Sequence, residues 1–155
     1  MQLPKTKAAA KASIIELEKL LGRSLPKSYL NFVEEHDGAR PAANIFKVGE
    51  NNSAEVSEFV SAHESIRIPC AVEGFPKNAL AIARASGGNF VYLAPENLAV
   101  YFWDHEIEDA DIKIAGSFDE FLDNLQPFDA SQIKLKPGQV KSAWIDPDFL
   151  KSLKK

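Results

Sequence analysis

The sequence has one cysteine, one methionine and no long apolar run. A single cysteine cannot form an internal disulfide, so Cys70, in the apolar stretch IPCAV, is expected to be a free thiol in the core of a protein from a reducing cytoplasm. No run approaches the roughly 18 apolar residues of a membrane span, and the opening MQLPKTKAAAK lacks the apolar stretch of a signal peptide. These absences predict a soluble, cytoplasmic protein that does not engage a membrane.

Motifs for catalysis are also absent. The sequence SGGN at 86–89 lacks the Gly-x-x-x-x-Gly-Lys spacing of a phosphate loop and lies between two predicted strands, so it is interpreted as a hairpin turn. His105 stands between Asp104 and Glu106, but one histidine beside two carboxylates matches no metal-ligand spacing. No pairing of a nucleophile with a base is evident. We therefore expect no enzyme, no cofactor and no metal.

The composition is that of one folded domain. The 155 residues are 45% hydrophobic and 26% charged, with a net charge of -4. Residues 1–27 hold six bases and two acids, residues 134–155 hold the same numbers, and residues 28–133 hold six bases and eighteen acids. An acidic middle disfavours nucleic acid, whose phosphates need clustered Lys and Arg, and favours a partner with a basic face.

Two helices are predicted at the start of the chain. In KAAAKASIIELEKLLG the apolar residues recur at helical spacing and Gly22 provides a stop. In LPKSYLNFVEEHDG, Pro26 occupies the first turn and Gly38 ends the pattern. The two helices form a hairpin. A third helix is predicted within SAEVSEFVSAHESI, because Val56, Phe59 and Val60 have helical spacing.

An antiparallel sheet is predicted after the helices. The runs ALAIARA, FVYLA and LAVYFW are rich in β-branched and aromatic residues and are separated by short turns, which is typical of a meander. A brief extended piece is also expected over 45–48. In the last run Val100 and Phe102 point to one face while Tyr101 and Trp103 point to the other, so both faces need cover.

A closing helix follows an acidic segment. Ser117 and Glu120 have the spacing of a capping box, and Pro127 is expected to stop the helix. The basic tail after it contains large apolar residues and is expected to dock on the core. The residues expected to be buried are those on the apolar phase of their elements: Leu17, Leu21, Tyr29, Phe32, Leu80, Ile82, Phe102, Phe118, Phe121 and Leu122.

The order of these pieces resembles the SUKH superfamily, which includes the yeast cell-wall synthesis regulator and many bacterial immunity proteins. The likeness is carried by IIELEKLLGRSLPKSYLNFVEEHDG, by LAIARASGGNFVYLAPENLAVYFWDHE and by IAGSFDEFLDNL, together covering about residues 13–125. Residues 1–155 are then one SUKH-like domain, with a core over about 10–127 and a C-terminal extension over 128–155. The resemblance implies an α+β fold, in which an N-terminal helical hairpin and a closing C-terminal helix pack on an antiparallel-rich sheet.

The resemblance further implies an immunity protein that neutralises a cognate toxin by binding its toxin domain. The alternative is a regulatory or scaffolding module that binds another protein. The oligomeric state stays open in both. The predicted partner surface is acidic and consists of Asp104, Glu106, Glu108, Asp109 and Asp111. Beside it, Tyr101 and Trp103 are predicted as aromatic anchors, although both would equally fit beneath the C-terminal tail.

Overall fold

The computed structural model describes residues 3–107 and 111–129. Within these residues the chain forms five helices and seven strands, with a 3-10 turn between the third and fourth strands. The helices are α1 Lys11–Leu21, α2 Lys27–His36, α3 Ala62–Ser65, α4 Ile68–Ala71 and α5 Phe118–Asp123. The strands are β1 Ala43–Val48, β2 Asn52–Phe59, β3 Leu80–Ala85, β4 Phe90–Leu93, β5 Val100–Trp103, β6 Ile112–Ala115 and β7 Gln126–Pro127.

All paired strands are antiparallel, and their order in the sheet is β6-β5-β4-β3-β2-β1-β7. From β1 to β6 the spatial order follows the chain, as in the predicted meander. The sheet curls, so β6 comes close to β1. The predicted α+β class is confirmed. None of the described helices has both the length and the apolar character to cross a membrane.

The N-terminal helical hairpin is confirmed. α1 ends at Gly22, whose φ of 72° is left-handed and suits glycine. Pro26 is the N-cap of α2. The segment before α1 lies along the end of α2, where the N–H groups of Thr6 and Ala9 donate at 2.9 Å to carbonyls of its last turn. These bonds occupy acceptors that a helix end would otherwise leave unpaired.

The sheet separates two hydrophobic clusters. The inner cluster packs the sheet against α1, α2 and α5, and it includes Phe32, whose ring lies 5.1 Å from that of Phe118. Nine of the ten residues predicted to be buried are buried, and Leu122 is half-buried. The outer cluster lies on the opposite face: Val60, Ile68, Phe75, Ala79, Ala81, Phe90, Tyr92, Ala94 and Trp103. Helices α3 and α4 and the loop around Phe75 therefore supply the cover that the second face was expected to need.

The prediction of a helix beginning near residue 53 is wrong for its first part, which is strand β2. In the pairing with β3, Val56 faces Ala85 while Glu58 faces Arg84, so β2 carries an extra residue between them. This bulge brings Val56 and Phe59 to the same inner face although they are three residues apart. A bulged strand thus reproduces helical spacing. The helix α3 begins only at Ala62, after the N-cap Ser61.

Two smaller expectations are also corrected. Cys70 is exposed, because α4 buries Ile68 and packs the following Val72 against the outer cluster, which turns the residue between them to solvent. Pro127 does not end the last helix. The helix α5 stops at Asp123, and Pro127 pairs with Ala43 in the short strand β7. The predicted cap is confirmed, since Ser117 accepts from the Glu120 N–H, and the Glu120 carboxylate accepts from the N–H of Gly116.

A half-buried carboxyl joins the hairpin to the outer layer. Asp37, at the end of α2, accepts a hydrogen bond of 2.7 Å from the N–H of Ala62 at the start of α3. Burial raises the pKa of Asp37 above its ordinary value of 3.8, although this bond acts in the opposite direction, and the charge of Glu64 raises it further. The carboxylate is thus a structural link that is costly to ionise.

Phe121→Ala should lower the free energy of unfolding by about 3–5 kcal/mol, because the ring is 1% exposed and its removal leaves a cavity in the inner cluster. Chemical denaturation measures the change. The matched control is Ile15→Ala on α1, where the side chain is 54% exposed and the expected change is within about 0.5 kcal/mol. A small effect at Phe121, similar to that at Ile15, would contradict the packing of α5.

Asp37→Asn should gain stability relative to the natural protein as the pH rises from below 3.8 to neutral. The raised pKa means that the folded state holds the proton to higher pH than the unfolded chain does, so the charging penalty appears only as pH increases. Asn keeps an oxygen for Ala62 and cannot ionise. Asp37→Ala should show the same trend, lowered at every pH by about 1 kcal/mol for the lost bond. A pH-independent difference in unfolding free energy would refute this account.

Candidate functional site

The predicted acidic surface begins where β5 ends. Asp104 is half-buried, whereas Glu106 and Asp111 are exposed. Glu108 and Asp109 lie outside the described residues. The carboxylate of Asp104 accepts from the Glu106 N–H at 3.0 Å, and its carbonyl accepts from the Ile107 N–H at 3.3 Å. The start of the acidic segment is therefore a tight turn.

The two aromatic residues predicted as anchors differ in exposure. Trp103 is 8% exposed, and its ring lies 5.4 Å from that of Phe75 and 6.1 Å from that of Phe90. Trp103 is thus a member of the outer cluster, on the second face of the sheet as its strand phase predicts, and the chain itself covers most of it. Tyr101 is half-buried and stacks on Tyr92 with a centroid distance of 5.6 Å. Tyr101 retains a surface that a partner can contact.

Asn89 holds His105 in one orientation. Its Oδ1 accepts from the backbone N–H of His105 at 3.2 Å, which identifies that atom as the acceptor, and it lies 2.8 Å from the ring Nδ1. Nδ1 must then donate, so a neutral ring keeps its lone pair on Nε2. The ring lies over Gly88, whose φ of 89° is a conformation that side-chain-bearing residues rarely adopt. The backbone of the glycine turn therefore forms part of the surface on which the His105 ring packs.

The far end of the acidic segment is also fixed. The Asp111 carboxylate accepts a hydrogen bond from the Tyr92 hydroxyl on β4. Burial raises the pKa of Tyr92, and the charge of Asp111 and this bond raise it further. Since Asn89 precedes β4 and Tyr92 lies within it, one buried strand holds the two described ends of the segment. The described ends of this surface therefore lose little conformational freedom on binding.

A groove of about 800 Å³ adjoins the turn, with Trp103 and Phe90 in its lining. Glu73 and Asp104 also line it, as does Ile107, which is 55% exposed. The remaining lining residues are Val72, Gly74, Arg84, Gly88 and His105. We call this the acidic groove. It combines an apolar wall with carboxylates at its edge.

The positive charge in the acidic groove is already partnered. The Arg84 guanidinium lies 3.4 Å from the Glu58 carboxylate, 3.6 Å from that of Glu64 and 5.3 Å from the ring centroid of Phe90. These contacts screen its charge and hold it against the wall. The other charged residues in the lining are Glu73 and Asp104, and Glu106 lies two positions after Asp104 in the same turn.

Sequence reasoning missed Glu73, Asn89 and Ile107. Asn89 was assigned to the hairpin turn alone, although the pairing of Phe90 with Trp103 brings it beside the residues that follow β5. Aligning the two strands in register would have placed Asn89 next to His105. Glu73 has no comparable signal, because it reaches the groove from the loop after α4. Over residues 3–107 and 111–129, no group of three or more His, Cys, Asp or Glu is arranged to hold a metal ion.

Comparison with known proteins identifies relatives of this chain. The SUKH_6 family model, described as SMI1-KNR4 cell-wall, matches residues 11–122. An SPbeta prophage-derived uncharacterized protein of Bacillus subtilis strain 168, YokK, is 27% identical over 165 residues. The alignment covers 88% of this chain and 84% of that protein. The family match spans both the helical hairpin and the acidic turn.

Asn89→Ala should release the ring of His105, so that the neutral imidazole proton distributes between Nδ1 and Nε2. Ring ¹⁵N shifts at alkaline pH, where imidazole is neutral, measure the tautomer directly. The matched control is Asn97→Ala, which removes bonds to Ala99 and Tyr101 in a neighbouring turn and should leave His105 unchanged. Unaltered ring shifts in Asn89→Ala would show that the side chain does not orient the histidine.

Proposed function

The chain belongs to the SUKH family, and from this premise we propose that it is an immunity-type protein that neutralises a cognate bacterial toxin. It acts in the cytoplasm by binding the toxin domain, with no cofactor and no chemical step of its own. The acidic groove is the binding surface. A basic cleft on the toxin is its complement, so that binding covers residues the toxin needs for its own activity.

The observation that carries this proposal is that carboxylates lie beside an apolar wall. Glu73, Asp104 and Glu106 are not neutralised by Arg84, whose guanidinium contacts Glu58 and Glu64. Carboxylates held together repel one another, and a basic partner relieves that repulsion. Their field also accelerates the approach of such a partner. The exposed Ile107 supplies apolar area that the partner buries.

A second candidate is a regulatory or scaffolding module, favoured by the cell-wall description of the matching family model. That function uses the same groove for a partner that is not a toxin. The two candidates differ in cells. An immunity protein restores the growth of cells that produce its toxin, whereas a scaffold binds its partner without conferring protection.

Glu73→Lys combined with Glu106→Lys should slow association with the toxin domain by roughly tenfold or more at low salt. Where a neighbouring gene encodes a toxin domain, that domain is the probe, and stopped-flow or surface-binding kinetics across ionic strengths provide the measurement. Both side chains are exposed, so the melting temperature should change little. The double variant should also weaken growth protection.

The matched control is Glu16→Lys with Glu34→Lys. These exposed residues lie on α1 and α2, across the sheet from the acidic groove, and the two double variants change the net charge equally. The control should retain most of the association rate. Equal slowing by both pairs would attribute the effect to net charge and would contradict a role for the groove.

A further inference from the structure

A second groove, of about 910 Å³, lies where the two ends of the curled sheet approach each other. Its apolar lining comes from β1, β6, α5 and the chain at β7, and consists of Ile45, Phe46, Ile114, Phe121, Pro127 and Phe128. We call it the closing groove. Phe46 and Phe121 meet edge to face at 5.7 Å within it. Phe128 is 64% exposed, and Ile112 on the same sheet edge is 37% exposed.

The closing groove is an apolar surface that the described residues leave open. Exposed Phe128 stands at a lining that continues into the inner cluster through Phe46 and Phe121. Large exposed apolar side chains next to a core are typical of a surface that another segment covers. The acidic groove on the outer face differs, because charged residues interrupt its apolar wall: Glu73, Arg84 and Asp104.

The occupant is indicated by the chain itself. Phe128 and Asp129 both line the closing groove, and 26 residues follow them in the sequence. Those residues include Trp144, Ile145, Phe149 and Leu150, four large apolar side chains within seven positions. An extended chain advances about 3.3 Å per residue, so the stretch between positions 129 and 144 is long enough to return to the groove. Tethering also gives the segment a high effective concentration.

The charges agree with this assignment. Residues 134–155 hold six bases and two acids, whereas residues 28–133 hold six bases and eighteen acids. Helix α5 forms one wall of the closing groove and carries the exposed acids Asp119 and Asp123. Lys47 in the lining opposes this attraction locally. Residues 28–133 as a whole remain acidic, so a basic segment approaches them favourably.

We propose that the apolar residues at positions 144–150 of this chain dock in the closing groove and complete the inner cluster. Docking places Trp144 beside Phe128 and keeps the C-terminal segment away from the acidic groove. This assignment concerns a different face from the proposed toxin-binding surface, so each can fail without the other.

Paramagnetic broadening of the tryptophan indole N–H signals tests the proposal in the full chain. The protein has two tryptophans, and Trp144→Phe identifies which signal is which. Two separately labelled proteins are prepared. In the first, a nitroxide is attached at position 47 after Lys47→Cys, with Cys70→Ser removing the native thiol. In the second, the nitroxide is attached to the native, exposed Cys70. The label at position 47 should remove most of the Trp144 intensity and weaken the Trp103 signal less. The label on Cys70 should do the reverse, because Trp103 packs in the outer cluster beside α4.

Phe128→Asp in the labelled Lys47→Cys protein should restore the Trp144 signal. Because the side chain of Phe128 is exposed, this substitution should not unfold the protein. An unchanged chemical shift of the Trp103 indole N–H verifies that the variant is folded. Intact Trp144 intensity with the label at position 47 would overturn the proposal. A mixing experiment tests for a second copy: ¹⁵N-labelled protein without nitroxide is mixed with spin-labelled protein without ¹⁵N. Broadening of the Trp144 signal in this mixture would also overturn the proposal, because it would assign the groove to a second copy of the chain. Broadening that persists after Phe128→Asp would overturn the placement at Phe128.

Discussion

The central strands of the sheet are apolar on both faces, and this constraint determines the rest of the fold. Leu80, Ile82 and Val91 are fully buried on the inner side, while Phe90 and Trp103 are buried on the outer side. Strands of this kind are stable only when both faces are covered. The inner face receives long helices with apolar stripes. The outer face receives two single-turn helices and an aromatic loop, which bury smaller areas.

The position of the acidic groove follows from that arrangement. Loops at the margin of a rigid sheet can carry polar groups without disturbing the core. The turn after β5 leaves the sheet between the two covering layers, next to Trp103, which lends the groove an apolar wall. Asn89 and Tyr92 then tie the acidic segment to strand β4 and its turn. Buried strands thus orient a charged surface that the core itself could not contain.

The curl of the sheet has a separate consequence. Because β6 approaches β1 without pairing along it, a groove forms at that end of the sheet, next to the inner cluster. Helix α5 and β7 narrow the opening, and Phe128 remains exposed beside it. The sequence after Phe128 contains further large apolar residues, and it is covalently attached at the edge of this groove. This attachment is why we propose that the same chain covers the groove. The two grooves therefore have different origins, one at a turn and one at a gap in the sheet.

The amino-acid sequence by itself determined the helical hairpin, the meander and the capping box, because their signals are local. Gly22 ends α1 through its own backbone freedom, and Ser117 caps α5 through a residue three positions away. The sequence also determined that the meander needed cover on two faces and that carboxylates follow β5. Each of these features depends on neighbours along the chain.

Only the tertiary structure decided which side chains meet across elements. Val56 and Phe59 have the spacing of a helix, and pairing with β3 makes them a bulged strand. Trp103 lies on the outer face that its strand phase predicts, and the ring of Phe75, from a separate loop, buries it. The bond between Asn89 and His105 joins residues sixteen positions apart. Such features arise from strand register and layer packing, which are set by the free energy of the whole assembly and not by any local pattern.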